Sequence, residues 1–273
     1  MFHQRLLQRY MPGDIATKTL NDDGFYFRRI NGYPKDRTEG DREYFGKNES
    51  LILSSLNSRF SKTAHMTKEE GAELCKKIVQ RDKKGIFIQS WFWHRQMSRF
   101  MWEEYAKSSK SPDCALFIVD LIKLGNYLDK TLPVGYQFEP VNYIEDKLQQ
   151  REAVFSKNLE FQPEHEYRIS IDIKELMFFN KKILPEISWP PRHMDVYCED
   201  DLSKHYRNGG IASEHNFKYV DEYGLILKAP LPELLESVFI PTNAGREFSL
   251  QLDNILDSKG YDFKCQRIDL PTE

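Results

Sequence analysis

Residues 114–119, Cys114-Ala115-Leu116-Phe117-Ile118-Val119, are apolar without interruption. Successive residues of an extended chain face opposite ways, so such a run can leave neither face in water. It reads as the central strand of a sheet with layers packed on both sides. It is too short to cross a bilayer, which takes about 20 apolar residues. Further strands are expected at 25–30, 85–91, 134–143, 165–173, 237–241 and 261–268, with a first strand or helix start at 5–10. Helices are expected at 14–21, capped by Asp14, and at 67–82, where Thr67 and Glu70 form a capping box. Two more follow at 97–107, through Phe100, Met101 and Tyr105, and at 144–158. The last lies at 245–257, through Phe248, Leu252 and Ile255.

The chain has 273 residues, no internal repeat and no evident linker, so a single α+β domain over 1–273 is the economical reading. Residues 180–230 are less regular, with Trp189-Pro190-Pro191 and Gly209-Gly210, and read as a surface excursion. A formal net charge of −3 excludes a uniformly basic nucleic-acid coat but not a local basic groove. The four cysteines, Cys75, Cys114, Cys198 and Cys265, form no CxxC pair, so no structural zinc site is expected. His193, His205 and His215 lack metal-ligand spacing, and Cys75 has no evident His partner. Met1-Phe2-His3-Gln4-Arg5 leads into no apolar signal region. A cytoplasmic protein with reduced thiols is expected, away from membranes. No P-loop, GxGxxG, HExxH or GxSxG motif occurs.

The chemistry-bearing run is 160–173, EFQPEHEYRISIDI. Tyr167 to Ile173 alternate as a half-buried strand does, and Glu164 and Glu166 stand just before it. On an extended chain these two carboxylates share a face and project together from the strand mouth. Two like charges this close should raise one pKa, which suits a base. The competing reading is a solvated charge pair on an edge strand, with Arg168 structural.

Four pieces occur in order: Leu7-Gln8-Arg9-Tyr10, Asn21-Asp22-Asp23-Gly24-Phe25-Tyr26-Phe27, Ser98-Arg99-Phe100-Met101-Trp102-Glu103-Glu104-Tyr105-Ala106, and Glu164-His165-Glu166-Tyr167-Arg168. Together they resemble a bacterial family carrying MWxxYA and ExEYR pieces, over about residues 6–265. The family's acidic FNDPxE motif stands here as Tyr33-Pro34-Lys35-Asp36-Arg37-Thr38-Glu39, a departure. That family in turn looks like the ADP-ribosyltransferase fold, in the toxin–antitoxin and phage-defence branch that modifies nucleic acid.

The resemblance implies a split mixed sheet with flanking helices, NAD as substrate, and a neutralising antitoxin protein as partner. It implies Glu166 as the carboxylate under the ribose and Glu164 as the group that orients or deprotonates the acceptor. Arg9 is then a pyrophosphate contact, Tyr26 or Phe27 a nicotinamide stack, Ser90 a ribose contact, and Tyr105 a hydroxyl reaching the pocket. Of Tyr26 and Phe27 only one can face the pocket, since they are neighbours on a strand. Trp102 is expected in the core. The acceptor would be a macromolecule, with RNA or single-stranded DNA slightly preferred over protein. That preference draws on basic stretches at Arg28-Arg29 to Lys35-Arg37 and Lys76-Lys77 to Arg81-Lys83-Lys84, flanking exposed Trp91 and Trp93.

Two other classes are compatible with the residues. A metal-dependent nuclease could use the paired carboxylates with Asp172 and Lys157. A non-catalytic binding module could keep the fold without the chemistry.

Overall fold

In the computed structural model, residues 5–30, 85–109, 111–132, 135–144, 153–173, 217–221 and 224–271 are described. The expected helix at 67–82, the basic stretches at 35–37 and 76–84, Cys75, Cys198, and His193, His205 and His215 lie outside them. So does most of the 180–230 segment.

The apolar run becomes β4 (Cys114–Asp120), with every residue buried. It lies between β1 (Leu6–Pro12) and β11 (Leu235–Pro241), antiparallel to both. Its two faces serve two cores. Ala115, Phe117 and Val119 join the larger cluster, and Cys114, Leu116 and Ile118 a smaller one under Tyr10 and Trp102. This is the alternation that an uninterrupted apolar strand requires.

Ten strands of the described residues join in one mixed sheet, ordered β12-β11-β4-β1-β3-β2-β10-β9, with β5 and β8 branching from β3. The remaining strands are β2 (Gly24–Arg29), β3 (Ile86–Phe92), β5 (Tyr136–Pro140) and β8 (Glu166–Asp172). β9 (Phe217–Asp221), β10 (Gly224–Lys228) and β12 (Gln266–Ile268) complete it. The short strands β6 (Asn142–Ile144) and β7 (Ser156–Asn158) pair separately. Helices α1 (Gly13–Asp22), α2 (Arg99–Ser109), α3 (Leu121–Thr131), α4 (Leu231–Leu234) and α5 (Arg246–Lys259) accompany the strands. The chain is thus α+β with a large mixed sheet and helices. No helix among the described residues is long and apolar enough to cross a membrane.

Local chemistry accounts for several boundaries. Asp120 closes β4 and caps α3, its carboxylate accepting from the Ile122 and Lys123 amides at 2.8 and 3.0 Å. α5 ends at Gly260, whose φ of +79° suits glycine. α1 starts at Gly13 without a side-chain cap, and Asp14 lies inside its first turn rather than at the cap. Gly13 is needed for space: an added Cβ would stand 2.9 Å from both the Asp113 carbonyl oxygen and the Phe248 ring.

The expected helix at 144–158 is corrected at its end. Ala153–Phe155 is a single 3-10 turn and 156–158 is β7. The last strand is shorter than 261–268. Phe217–Asp221, expected within an irregular excursion, is a strand. Helix α3 and strand β10 had no counterpart in the sequence reading.

The arrangement that matters for the site is the divergence of strands around β3. β1 meets β3 at one pair, Gln8 opposite Phe92. β2 meets it at the other end, through Arg28 opposite Ile88 and Arg29 opposite Phe87. Between these contacts no strand of the described residues pairs with the same edge of β3, while its other edge pairs with β8 along its whole length.

Candidate functional site

A cavity of about 420 Å³ opens at this divergence. Its walls come from β1, β2, β3 and α2, and from Lys157, Phe161, Glu164 and Glu166 on the opposite side. Six of the seven expected site residues line it: Arg9, Tyr26, Ser90, Tyr105, Glu164 and Glu166. Phe27 does not. It is fully buried in the main core, opposite Leu225 on β10. The strand alternation that turns Tyr26 toward the cavity turns Phe27 away, so Phe27 is a core residue.

Glu166 is the centre of the polar cluster and is only 4% exposed. Its strand lies between β3 and β5 rather than at an edge. The solvated edge-pair reading of Glu166 therefore fails. The strand is also more than half-buried: Arg168 and Ser170, on its polar face, are buried as well.

Ser90 and Arg168 are directly opposite across β3 and β8. Ser90 donates its hydroxyl to Glu166 Oε1. Arg168 Nε donates to the same oxygen at 2.6 Å, and another Arg168 nitrogen donates to the Val154 carbonyl. Because residues i and i+2 share a strand face, Arg168 is a direct partner of Glu166 rather than a remote structural cation. Glu166 Oε2, also buried, is ion-paired to Lys157 Nζ at 2.9 Å and accepts no further hydrogen bond among the described residues.

The two carboxylates meet differently from the expectation. Glu164 ends a 3-10 segment, Leu159–Glu164, and His165 follows in the left-handed region at φ 38°. The strand begins only at Glu166, so no shared strand face brings the pair together. Lys157 does: its ammonium donates to Glu164 Oε2 at 2.7 Å while facing Glu166. The ammonium also lies 5.1 Å from the centre of the Phe161 ring, a cation–π contact.

The expectation that one carboxyl of the pair is raised does not say which, and Glu166 is not that one. Burial does push its carboxyl up, but the charges of Arg168 and Lys157, with the hydrogen bonds from Arg168 and Ser90, outweigh it. The carboxyl is held down at about 2. Glu166 is therefore a carboxylate at neutral pH. Its amide donates to the Tyr143 hydroxyl at 2.7 Å. Burial pushes that phenol up to about 12, and the Glu166 charge adds to the effect.

Arg9 reaches across the divergence. Its guanidinium donates to the Tyr26 carbonyl at 3.2 Å and lies 5.7 Å from the Trp91 ring centre. Gln89, almost fully buried, donates to the same carbonyl at 3.2 Å. Tyr105 stacks on Tyr10 with ring centres 6.4 Å apart. Burial raises the Tyr105 phenol; the charges of Arg9, Glu164, Glu166 and Lys157 also act on it, which places Tyr105 in the field of the carboxylate cluster. Tyr10 is fixed in turn, donating to Gln8 Oε1 at 2.9 Å and accepting from the Ser98 amide at 2.8 Å. Trp102 is core, edge-on to Tyr10.

Sequence reasoning passed over the roles of Arg168 and Gln8 and gave Lys157 only to a nuclease. Arg168 was legible from its i+2 spacing to Glu166; Lys157, seven and nine residues upstream across a turn, was not. Trp91, expected as an exposed stacking surface, is 1% exposed, and Trp93 packs edge-on against Tyr167. Asp172, the expected third acid of a nuclease, sits at the far end of β8, roughly 20 Å along the strand from Glu166 at ~3.3 Å per residue. Among the described residues, no three His, Cys, Asp or Glu side chains converge to hold a metal. Comparison of the chain with protein-family models, curated proteins and solved structures returns no significant match.

Proposed function

We propose that the protein is an NAD-dependent mono-ADP-ribosyltransferase that modifies an intracellular macromolecule. The observation that carries this reading is Glu166 Oε2. It belongs to a buried, ionised carboxylate on the wall of a cavity with aromatic and cationic sides, and its contact among the described residues is the Lys157 ion pair at 2.9 Å, with no further hydrogen bond. A carboxylate in that condition suits a ligand hydroxyl.

Cleavage of a nicotinamide–ribose bond builds positive charge on the sugar. A carboxylate accepting a hydrogen bond from the neighbouring 2-hydroxyl lowers that barrier by several kcal/mol. Glu166 Oε2 would take this role, with Ser90 and Arg168 fixing Oε1 so that the carboxylate cannot turn away. Glu164 would accept the proton of the attacking group. Arg9 would face the pyrophosphate as a charge-assisted donor, and Tyr26 would stack on the nicotinamide. Tyr105 would offer its hydroxyl from the α2 side.

The acceptor is proposed as RNA or single-stranded DNA before protein. Support comes from Arg28 on the cavity wall and from Phe100, half exposed beside it on α2, which offer a cation and a ring to a nucleotide. A toxin of this kind would need a neutralising antitoxin.

The test is release of nicotinamide from NAD by the wild type and by Glu166→Gln. Activity in the wild type and loss of about 100-fold or more in the variant support the reading. Equal activity in both, or none in the wild type, removes it. A thermal shift separates the alternatives: NAD should raise Tm for the transferase, Mg²⁺ for a nuclease, and neither for a binding module.

A further inference from the structure

Glu164 and Glu166 share one cation. Lys157 Nζ is 2.7 Å from one carboxylate and 2.9 Å from the other, its side chain is 11% exposed, and the Phe161 ring covers it. Each carboxylate has a separate task in the proposed reaction, and both tasks need the ionised form. We infer that Lys157 is the positioning residue of this pair, the group that lets Glu164 and Glu166 stand ionised side by side. The inference rests on the transferase reading for its functional meaning.

The argument is one of charge and supply. Two carboxylates that meet in a half-buried wall cannot both stay ionised without a neighbouring cation; they share a proton and titrate as a pair. The charged and titratable groups around the pair come from every side. Arg168 lies on β8, Lys157 on β7, Tyr143 on β6, and Arg9 and Tyr105 on the β1 and α2 sides. Arg168 serves Glu166 Oε1 and the Val154 carbonyl. Ser90 also serves Glu166 Oε1. Glu164 receives its direct ion pair from Lys157. Removing the ammonium thus leaves Glu164 against Glu166 with the Arg168 charge committed to Glu166. The two carboxylates would then hold one proton between them, and the pair would lose its capacity as a base until the pH is raised.

A lysine that merely held β7 in place would act differently. Its loss would lower activity equally at all pH values, through misplacement of the wall. The lysine stem lies against Phe161 in either case, so Lys157→Met keeps most of the apolar contact while deleting the charge. Lys157→Arg keeps the charge.

The experiment has two arms. In the first, the carboxyl carbons of ¹³C-labelled glutamates are followed by NMR from pH 3 to 8 in the wild type, Lys157→Met and Lys157→Arg, with thermal melts confirming that each folds. The expected result is a glutamate titrating at least about one unit higher in Lys157→Met and near its wild-type position in Lys157→Arg. Unchanged titration in Lys157→Met overturns the inference. Should Lys157→Met not fold, Lys157→Gln takes its place under the same criteria. In the second arm, NAD consumption is profiled against pH. The expected result is an acid limb moved to higher pH in Lys157→Met, a loss of about tenfold per unit below it, and recovery above it. A uniform loss across pH overturns the inference. No consumption by the wild type overturns the transferase reading instead, and the carboxyl titration still decides the role of Lys157.

Discussion

Arg168 Nε lies 2.6 Å from Glu166 Oε1, and the two side chains are 0% and 3% exposed. They are two residues apart on one strand face, so the backbone of β8 itself sets their meeting. A buried carboxylate at this position depends on that guanidinium, because an ionised group out of water costs several kcal/mol without a partner.

Arg168→Met should therefore destabilise the protein by up to about 3–5 kcal/mol, since it leaves the buried Glu166 charge with Lys157 alone as its cation among the described residues and removes the donor to Val154. Replacing both residues, as Glu166→Gln with Arg168→Met, should cost less than the single Arg168 change. Urea denaturation of the three variants checks this, and additive losses would argue against direct coupling.

The stability of the fold should fall with acid through Glu166. Its carboxyl is lowered from the ordinary 4.5 to about 2, with burial opposing and Arg168 and Lys157 prevailing. A group whose folded pKa is depressed contributes stability above its unfolded value, and the contribution is lost as pH falls toward the folded value. Between pH 4.5 and about 2 the urea midpoint of the wild type should drop more steeply than that of Glu166→Gln.

Phe27 and Tyr26 should separate structure from ligand binding. Phe27→Ala opens a hole in the main core and should cost about 3–5 kcal/mol. Tyr26→Ala should cost less stability and weaken NAD binding. Thermal melts with and without NAD read both effects, and the reverse pattern would place Phe27 at the cavity.

Gly224 keeps space for Tyr26. A Cβ there would collide with the Tyr26 phenol ring and hydroxyl. Gly224→Ala should displace Tyr26 and weaken NAD binding several-fold. In a Tyr26→Ala background the same change should have little further effect, because the collision is gone. Binding titrations of the single and double variants decide this.

Much of the sheet was legible because it rests on local pattern. β4 announced itself as an unbroken apolar run, and β2, β3, β8 and β11 by composition and alternation. α3 was missed although Asp120 is a good cap, because its apolar residues follow directly on those of β4 and blur the change of period. Of the site residues on regular strands, Arg9, Tyr26 and Ser90 came from the resemblance, and facing direction said only that Tyr26 and Phe27 cannot both line the cavity; Glu166 was placed at the strand mouth by the alternation that follows it. The Glu164–Glu166 relationship could not be read from that pattern. It depends on a left-handed turn at His165 and on Lys157, which arrives from a different strand. The lowered Glu166 carboxyl was hidden for the same reason, since its cations act through tertiary contact.

The most direct test of the central proposal is incubation of the protein with NAD labelled in the adenylate portion and a crude lysate, beside Glu166→Gln. Samples are then split among ribonuclease, deoxyribonuclease and protease. The expected result is label entering a macromolecule only with Glu166 intact, and released by a nuclease. Absence of incorporated label together with absence of released nicotinamide would contradict the proposal.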